Sequence, residues 1–495
     1  MPSLAIEETQ RSIINTVGIG RSGEMSPTVY DTAWMARIPA EYNSTEPAFP
    51  KALKWVEQSQ HSDGSWGGEI EYAHDRIIST LSAILALNEW QDERATETIE
   101  RGLEYIWQSV DGLEDEYETI GFEVIAPTML EKCQTLGFNL PYSAFERYDL
   151  MREEKLAKIP SDMYCSKDTP LAFSLEFMGD SLEIQASEFP LEHNGSVAMS
   201  PSATAYLLTK DSGNAKARRY IDQMARVYDD KAPQVFSFDT FETSWCLWNL
   251  LLGESDAIYQ TEQVAGHIQD LEKALDHKNG AGFDSEYSVL DADETAIVFR
   301  VLRQAGLEPD VDCIRQFERD DYFVCYLAER NPSTSANIHV LEALKGIDEI
   351  DKTKIVDWLR SEQRDGGYWK DKWHASPYYA TGHAVIALIG TDDELAKSAV
   401  EWVLSTQRPD GGWGYYDDST AEETAYCLQA LCIYARDVEP IDPSVFVRGR
   451  KRLLECMTEM PALWIGKCLY TPVKVVESVI CSALKLTECY DEVSP

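Results

Sequence analysis

Three acidic side chains stand close together in the stretch DADETA, residues 291–296. A carboxyl group in water is ionised at neutral pH, because the pKa of aspartate is about 3.9. Crowding several carboxyl groups at a buried place favours the protonated form of one of them. Asp293, the middle acid, is then a candidate proton donor, and Asp291 and Glu294 would set its protonation and orientation. Protonation of an alkene needs such an unsolvated acid, and the resulting carbocation must be shielded from water by aromatic faces.

The same stretch also has the form of a helix start. On that interpretation Asp291 is the N-cap and Glu294, three residues later, completes a capping box. Acidic residues at a helix N-terminus are also favoured by the helix dipole. The two interpretations, proton donor and helix cap, both stay open at this point.

A Gln- and Gly-rich phrase that ends in Trp recurs along the chain, each time ahead of a helical pattern. It reads QSQHSDGSWG at 58–67, SEQRDGGYW at 361–369 and STQRPDGGWG at 405–414, with a degraded copy HKNGAGF at 277–283. Self-similarity at this spacing indicates stacked helical units, with Asp-Gly turns between helices and the Trp packed between them. Because apolar residues elsewhere follow helical spacing, the predicted fold is all-α and built from α/α barrels.

The repeats place acids at matching positions. Asp293 lies ten residues beyond Phe283, and Glu423 lies ten residues beyond Trp413. The start of the following helix is therefore acidic in two repeats, which suits both the cap and the proton-donor interpretation.

Length and charge limit the classes of partner. The 495 residues suit two or three domains. A net charge of −41 argues against nucleic acid and acidic lipid as partners, although a small anionic ligand is compatible with a local basic pocket. No apolar run suggests a spanning helix and the N-terminus has no signal-peptide order, so a cytoplasmic protein is expected. The 11 cysteines and 8 histidines are dispersed, which predicts reduced core thiols and no zinc site.

Six blocks of sequence, in order along the chain, resemble the class II (protonation-initiated) diterpene cyclases. DADETA resembles that family's D-x-D-D-T-A motif, with Glu294 in place of the fourth-position Asp. The motif also occurs in squalene-hopene cyclases, so the blocks decide the resemblance. They are SPTVYDTAWMA (26–36), SDGSWG to HDRIISTLSAILAL (62–87), GFEVIAPTMLEKCQTLGFNLPY (121–142), EKLAKIP (154–160), NGSVAMSPSATAYLL (194–208) and DKWHASPYYATGHA (371–384).

The resemblance implies a fold and a general acid. It implies two α-barrel domains, a γ domain at 20–235 inserted into a β domain made of 1–19 and 236–495. A third, class I domain is not expected, because none of the Asp pairs in the chain gives DDxxD. Asp293 would be the general acid. A side chain of SANIHVLEAL would hydrogen-bond it, with His339 the preferred partner and Asn337 the second choice.

The resemblance also implies a diphosphate-binding region. Arg76, Lys158 and Lys372 lie in the resembling blocks and are the candidate cationic donors, with Lys155 a weaker candidate. Magnesium is expected to bridge acids and diphosphate. The candidate metal ligands are Glu69, Glu71 and Asp75, for which an ordinary solvated acidic turn is the alternative.

One departure from the family concerns the end of the reaction. Plant enzymes that make the ent-labdane product carry a His and an Asn that hold the water taking the final proton. Phe173 and Gln234 stand at those positions here. The expected product is therefore a rearranged halimane or clerodane type, or a labdane of another stereochemistry.

The expected activity is the bicyclisation of geranylgeranyl diphosphate with the diphosphate retained. A downstream class I synthase or phosphatase is then the expected consumer of the product. Alternatives are a drimane-forming enzyme using farnesyl diphosphate, and a non-catalytic α-barrel that binds a hydrophobic partner and uses DADETA only as a cap. A triterpene cyclase would be longer and would carry an apolar membrane-docking patch. A protein prenyltransferase subunit would need an Asp/Cys/His zinc site.

Overall fold

A computed structural model describes residues 2–41, 43–90, 95–114, 117–160, 163–164, 166–167, 169–181, 189–253, 261–327, 329 and 331–490. These residues form twenty α-helices, and the only strands among them are two short antiparallel pairs. The helices are α1 Pro2–Thr16, α2 Val29–Ala36, α3 Pro50–Gln58, α4 Ala73–Glu89, α5 Thr96–Ser109, α6 Phe122–Thr135, α7 Glu146–Ala157, α8 Pro201–Lys210, α9 Ala215–Val227, α10 Asp239–Leu252, α11 Glu262–Ala274, α12 Ala292–Gln304, α13 Asp312–Arg315, α14 Thr334–Ala343, α15 Thr353–Glu362, α16 Pro377–Leu388, α17 Asp393–Ser405, α18 Ala421–Asp437, α19 Pro443–Cys456 and α20 Val473–Leu486. The strands are β1 Pro39–Ala40, β2 Asn43–Pro47, β3 Trp464–Ile465 and β4 Leu469–Tyr470.

The C-terminal half is a closed ring of helices. Helices α10, α12, α14, α16, α18 and α20 each pack against the next, and α20 returns to α10. The helices between them, such as α15 and α17, pack on the outside of this ring. Helix α1 joins the same barrel by packing against α20 and α10, and its Ile6 and Ile13, with Val17 just after it, belong to the same core. The all-α barrel fold predicted from the repeats is confirmed.

The N-terminal half forms a second barrel with its own core. Its inner layer consists of α2, α4, α6, a 3-10 helix at Pro170–Met178, and α8, which returns to α2. Helices α3, α5, α7 and α9 lie outside. The core of this half extends from Met25 to Phe238 and also receives Cys468 from the other half. The domain boundaries given above stay a prediction.

The recurring Trp residues are structural, as their repeat predicts. Trp66, Trp369 and Trp413 are fully buried. Each indole N–H donates to the carbonyl ten residues earlier, at the end of the preceding outer helix, over 2.6–2.7 Å. Each backbone N–H donates to a Thr hydroxyl in the next inner helix. These two bonds fix the turn between an outer helix and an inner helix.

The same Thr bond corrects the alignment of the repeats. Thr424 accepts from the N–H of Trp413, whereas Thr295 accepts from the N–H of Ala281 over 2.9 Å. Ala281, not Phe283, therefore stands where the other repeats have Trp. The counterpart of Asp293 is consequently Glu422, two residues before the Thr in each case, and the pairing of Asp293 with Glu423 was wrong by one residue.

Two further expectations concern thiols and membranes. Nine of the ten cysteines that the structure describes are buried, and all ten are free thiols. Within the described part of the chain, no helix is both long and apolar enough to span a bilayer.

Candidate active site

Asp293 lies in the first turn of α12, at the end of the C-terminal barrel. Its side chain is 15% exposed, whereas the side chain of His339 beside it is fully buried. His339 Nδ1 forms a short hydrogen bond to Asp293 Oδ1, and the Ser335 hydroxyl lies 3.4 Å from Oδ2. Both partners come from α14, the neighbouring inner helix, so the packing of α12 on α14 sets the geometry of the acid.

Asp291 caps the same helix. Its side chain accepts a hydrogen bond from the Glu294 N–H over 2.8 Å, which confirms the cap interpretation. The capping box is not completed, because the Glu294 carboxylate accepts from the Ser244 hydroxyl at 2.6 Å and the Asp291 N–H donates to the Ala281 carbonyl.

Burial changes the protonation of both acids that flank Asp293. It raises the pKa of Asp291 to about 8, and the proximity of the Asp293 carboxyl group adds to this effect. Burial also raises the pKa of Glu294 well above its usual value, with a further contribution from Asp291. Both flanking carboxyl groups are therefore largely protonated at neutral pH, and burial outweighs crowding as the cause.

His383 fixes the orientation of His339 from behind. His339 Nε2 lies 2.8 Å from His383 Nδ1, and His383 is buried. Burial, together with the nearby His339 and His374, holds the pKa of His383 well below its usual value, so this ring is neutral. Because His383 Nε2 is buried without a hydrogen-bond partner, we assign its proton to Nδ1, which donates to His339 Nε2 and leaves His339 Nδ1 to donate to Asp293.

Asn337, the second-choice partner for Asp293, bonds to backbone groups instead. Its side chain accepts from the Phe323 N–H and donates to the Phe323 carbonyl, each over 2.8 Å. It also donates to the Ser333 carbonyl. Asn337 therefore holds the loop before α14, and of the two candidate partners the structure places His339 on Asp293.

Aromatic rings adjoin the acid and its histidine. The Trp245 ring meets His339 edge-on at a centroid distance of 5.0 Å and meets Trp464 at 5.7 Å. Trp464 in turn contacts Phe241 at 5.6 Å and Tyr379 at 5.1 Å. Such a wall can stabilise a carbocation through its π faces while keeping water away from it.

Two of the predicted diphosphate-binding cations are engaged elsewhere. Arg76 is buried, and its guanidinium donates to the Ile70 and Glu69 carbonyls and to the Ser65 hydroxyl. Lys372 donates to Glu329 at 2.6 Å and to the Asn331 carbonyl. Both contacts hold loops of the protein, and a role of Arg76 and Lys372 in holding the diphosphate stays a prediction.

The other two predicted cations lie on or just after α7. Lys158 is exposed and is the C-cap residue of that helix. Lys155 pairs with Glu123 over 2.6 Å, and Glu123 is buried in the N-terminal barrel. A role of Lys158 in holding the diphosphate stays a prediction.

The three predicted metal ligands do not converge. Asp75 is buried, and its two oxygens accept from the N–H groups of Gly68 and Leu469 over 2.7 and 2.9 Å. Glu69 accepts from the Ala462 N–H, and Glu71 is exposed. Among the described residues, no group of three or more His, Cys, Asp or Glu side chains is arranged to hold a metal ion. These residues do not fit a magnesium site, because Asp75 and Glu69 accept hydrogen bonds from backbone N–H groups and Glu71 lies exposed apart from them.

Phe173 and Gln234 are also placed by the structure. The Phe173 ring lies 4.5 Å from the Lys467 ammonium, and Gln234 Oε1 accepts from the Cys468 N–H at 3.2 Å. Phe173 offers a water molecule no polar group, and the carbonyl oxygen of the Gln234 amide is already taken by the Cys468 N–H.

The hairpin β3–β4, with its turn residues Gly466, Lys467 and Cys468, was missed in the sequence. It supplies Trp464 to the aromatic wall and a fully buried lysine to the N-terminal barrel. The available signal was a short apolar run on each side of a Gly-Lys pair in LWIGKCLY, in a chain otherwise patterned as helix.

Comparisons with known families agree with this architecture. Residues 329–432 match the squalene-hopene cyclase C-terminal domain, and residues 38–117 match the prenyltransferase alpha-alpha toroid domain. The first match contains His339, His374, His383 and Glu422.

Three similar proteins cover most of the chain. A type B diterpene cyclase of Mycobacterium tuberculosis is 35% identical over 97% of this chain and 99% of its own length. The structure of an ent-copalyl diphosphate synthase from Streptomyces platensis superposes with a TM-score of 0.79, at 28% identity, over 98% of this chain and 99% of that one. A (-)-kolavenyl diphosphate synthase of Tripterygium wilfordii is 33% identical over 72% of this chain, which spans 44% of that longer protein.

Proposed function

The chain belongs to the class II diterpene cyclases, and from that premise we propose that it cyclises geranylgeranyl diphosphate to a bicyclic diterpenyl diphosphate. The observation that carries this proposal is Asp293, a partly exposed carboxyl group held by His339 beside an aromatic wall. One proton enters at the start and one leaves at the end, so the reaction is an isomerisation and the diphosphate is retained.

Asp293 is the general acid of the proposed reaction. His339 donates to Oδ1, which leaves Oδ2 to carry the transferable proton. This proton goes to the distal alkene of the substrate, and two ring closures follow on the resulting cation. The Asp293 carboxylate left behind keeps its hydrogen bond from His339. The neutral flanking acids add no negative charge that would oppose the departure of the proton.

The product is proposed to be a rearranged halimane or clerodane type, or a labdane other than the ent form. Support comes from the side chains at the two positions where ent-labdane enzymes hold water. Phe173 presents a ring with no acceptor, and its neighbour at 4.5 Å is an ammonium group rather than a base. Gln234 spends its carbonyl oxygen on the Cys468 N–H. With no water held there, the cation persists long enough for hydride and methyl shifts.

The test is an incubation of the purified protein with geranylgeranyl diphosphate and magnesium, which serves as the counter-ion of the diphosphate. Products are dephosphorylated and identified by gas chromatography–mass spectrometry, with Asp293→Asn in parallel. A bicyclic alcohol from the wild type, lost in the variant, supports the proposal, and its skeleton tests the argument from Phe173. An arm with EDTA measures whether magnesium is required.

Two results contradict the proposal in different ways. A product from farnesyl diphosphate alone would make the protein a drimane-forming enzyme. An Asp293→Asn variant as active as the wild type would show that Asp293 is not the general acid.

Because the product keeps its diphosphate, its consumer is proposed to be a class I synthase or a phosphatase.

A further inference from the structure

A single hairpin from the C-terminal half reaches into the N-terminal barrel. We call residues 462–471 the clasp; it contains β3, β4 and the tight turn between them, in which the Gly466 N–H donates to the Cys468 carbonyl. Most of the clasp is buried, and Lys467 at its tip is fully buried. Its base and its tip contact different barrels.

The base of the clasp is fixed to the barrel that carries Asp293. The Ile465 N–H donates to the Trp373 carbonyl and the Ala375 N–H to the Leu463 carbonyl, each over 2.8 Å. The Trp464 indole donates to Glu422 over 2.8 Å, and its ring completes the aromatic wall. The position of the clasp therefore sets the position of one wall of the site.

The tip is held by one ammonium group in the N-terminal barrel. Lys467 Nζ donates to Glu176 over 2.7 Å and to the hydroxyls of Ser200 and Ser202 over 2.8 and 2.7 Å. All three donors of the lysine are thus satisfied, and Phe173 covers the ammonium at 4.5 Å. Lys467 and Glu176 are both 0% exposed. A buried ammonium group whose three donors are all satisfied has essentially one geometry, which makes Lys467 a rigid anchor.

Backbone contacts around the tip add to this anchor. The Ile120 N–H donates to the Gly466 carbonyl over 2.6 Å, and Asp75 accepts from the Leu469 N–H. A Cβ on Gly466 would lie only 1.3 Å from the Gln234 amide nitrogen, so the turn and Gln234 are in close contact. Glu69 and Asp75, the candidate metal ligands, therefore accept hydrogen bonds from the backbone of the clasp.

We infer that Lys467 is a positioning residue of the cyclisation, holding the Trp464 side of the site at a fixed distance from the Phe173 side. The inference rests on the proposed function, because it concerns the folding of that substrate. The lysine acts through the clasp rather than by contact with the substrate. Since a carbocation is redirected by small changes in the surrounding walls, loss of the anchor changes which products form as well as how fast they form.

The first experiment replaces Lys467 with Met, which keeps the length of the side chain and removes its charge. We expect kcat to fall about tenfold with little change in KM, and side products, monocyclic or hydroxylated, to rise at least about threefold as a fraction of the total. The matched control is Lys354→Met, which removes a lysine paired with Glu318 at 2.6 Å on the outside of the other barrel. That variant should keep the wild-type products.

Stability is separated from positioning by a second variant. Lys467→Met alone strands the Glu176 charge and lowers the unfolding temperature. Lys467→Met with Glu176→Gln leaves two neutral side chains, so the unfolding temperature should return towards that of the wild type while the side products persist. If the product composition stays that of the wild type in folded protein, Lys467 is merely structural and the inference is wrong.

The third experiment moves the clasp without touching any charge. Gly466→Ala forces the turn and Gln234 apart and is expected to raise the same side products. Adding Gln234→Ala makes room, so the double variant should match Gln234→Ala alone. Wild-type products from Gly466→Ala would contradict the inference even if the lysine variants do not fold. If the wild-type enzyme forms no bicyclic product, the proposed function is wrong, and this inference is wrong as well because it rests on that function.

Discussion

The C-terminal barrel contains two carboxylate–histidine pairs whose acids stand at equivalent places in its repeats. Asp293 pairs with His339, and Glu422 pairs with His374. Each acid lies in the first turn of an inner helix, two residues before the Thr that fixes the repeat turn. The repeat geometry therefore puts an acid at the same end of the barrel twice.

The two pairs differ in exposure and in what surrounds the acid. Glu422 is fully buried, and one of its oxygens accepts from the Trp464 indole at 2.8 Å, from the Tyr426 hydroxyl at 3.0 Å and from His374 at 3.3 Å. Asp293 is 15% exposed and is held by His339 and, at 3.4 Å, by Ser335. The residue type is thus not what makes a proton donor: the acid must keep one oxygen exposed to a ligand, whereas both oxygens of Glu422 are buried, one bonded to the aromatic wall and the other without a hydrogen-bond partner.

The largest expected effect separates these two acids directly. Asp293→Asn should lower kcat by about 10³-fold, because the amide keeps the shape and contacts but has no acidic proton. Glu422→Gln should lower kcat by less than about tenfold, since an amide oxygen still accepts from Trp464. Initial rates with geranylgeranyl diphosphate measure both. Equal losses would mean that the two carboxyl groups share the proton donation.

The histidines give the next largest contrast. His339→Ala removes the donor to Asp293 and should lower kcat about 100-fold with KM nearly unchanged, because the acid loses its orientation and the stabilisation of its carboxylate. His339→Asn, which can donate from its amide, should recover part of that loss. His374→Asn should instead lower the unfolding temperature. A kcat loss for His374→Asn as large as for His339→Ala would contradict the difference between the pairs.

The sequence predicted the helical repeats and the pair of Asp293 with His339 better than it predicted contacts between distant residues. The Gln/Gly/Trp phrase predicted the helical repeats, because the turn chemistry and the buried indole are local requirements. The resemblance of DADETA and SANIHVLEAL to one family led to Asp293 and His339. Asp291 is both a cap and a group with a raised pKa, so the two interpretations of the motif were compatible.

What the sequence could not give depends on contacts between distant residues. Arg76 and Lys372 are cations in resembling blocks, yet carbonyl groups and Glu329 take up their donors. Asp75 turned out to bind a backbone N–H 394 residues away. The degraded repeat also hid the true counterpart of Asp293, because Ala281 replaces the Trp that would mark the register.

A third prediction concerns the protonation of Asp291, the acid that caps the helix of Asp293. Burial raises the pKa of Asp291 from 3.8 to about 8, so between those values the unfolded chain is ionised while the folded one keeps the proton. The folded state thus binds more protons, and its stability falls as the pH rises from about 4 to about 8. Asp291→Asn, which still caps the helix, should remove this slope and raise the free energy of unfolding at pH 8 by on the order of 2–5 kcal/mol.

Thermal unfolding between pH 5 and 9 measures this slope. Asp276→Asn is the matched control, because hydrogen bonds from Asn279 and from a backbone N–H lower the pKa of that exposed acid, and its contribution is already complete above pH 5. The control should therefore run parallel to the wild type. A parallel curve for Asp291→Asn would show that Asp291 is ionised in the folded protein.

The smallest expected effect concerns the hydrogen bond from the Trp464 indole to Glu422. Trp464→Phe keeps a ring in the aromatic wall but removes the indole donor to Glu422, so it should cost about 1 kcal/mol of stability and change kcat only a few-fold. Combined with Glu422→Gln, the two losses should not add, because both variants weaken the same hydrogen bond. If Trp464→Phe instead abolished turnover while the protein stayed folded, the indole donor would be needed for the reaction itself. Glu422 would then have to act on the substrate together with Asp293, and burial alone would no longer distinguish a working acid from a structural one.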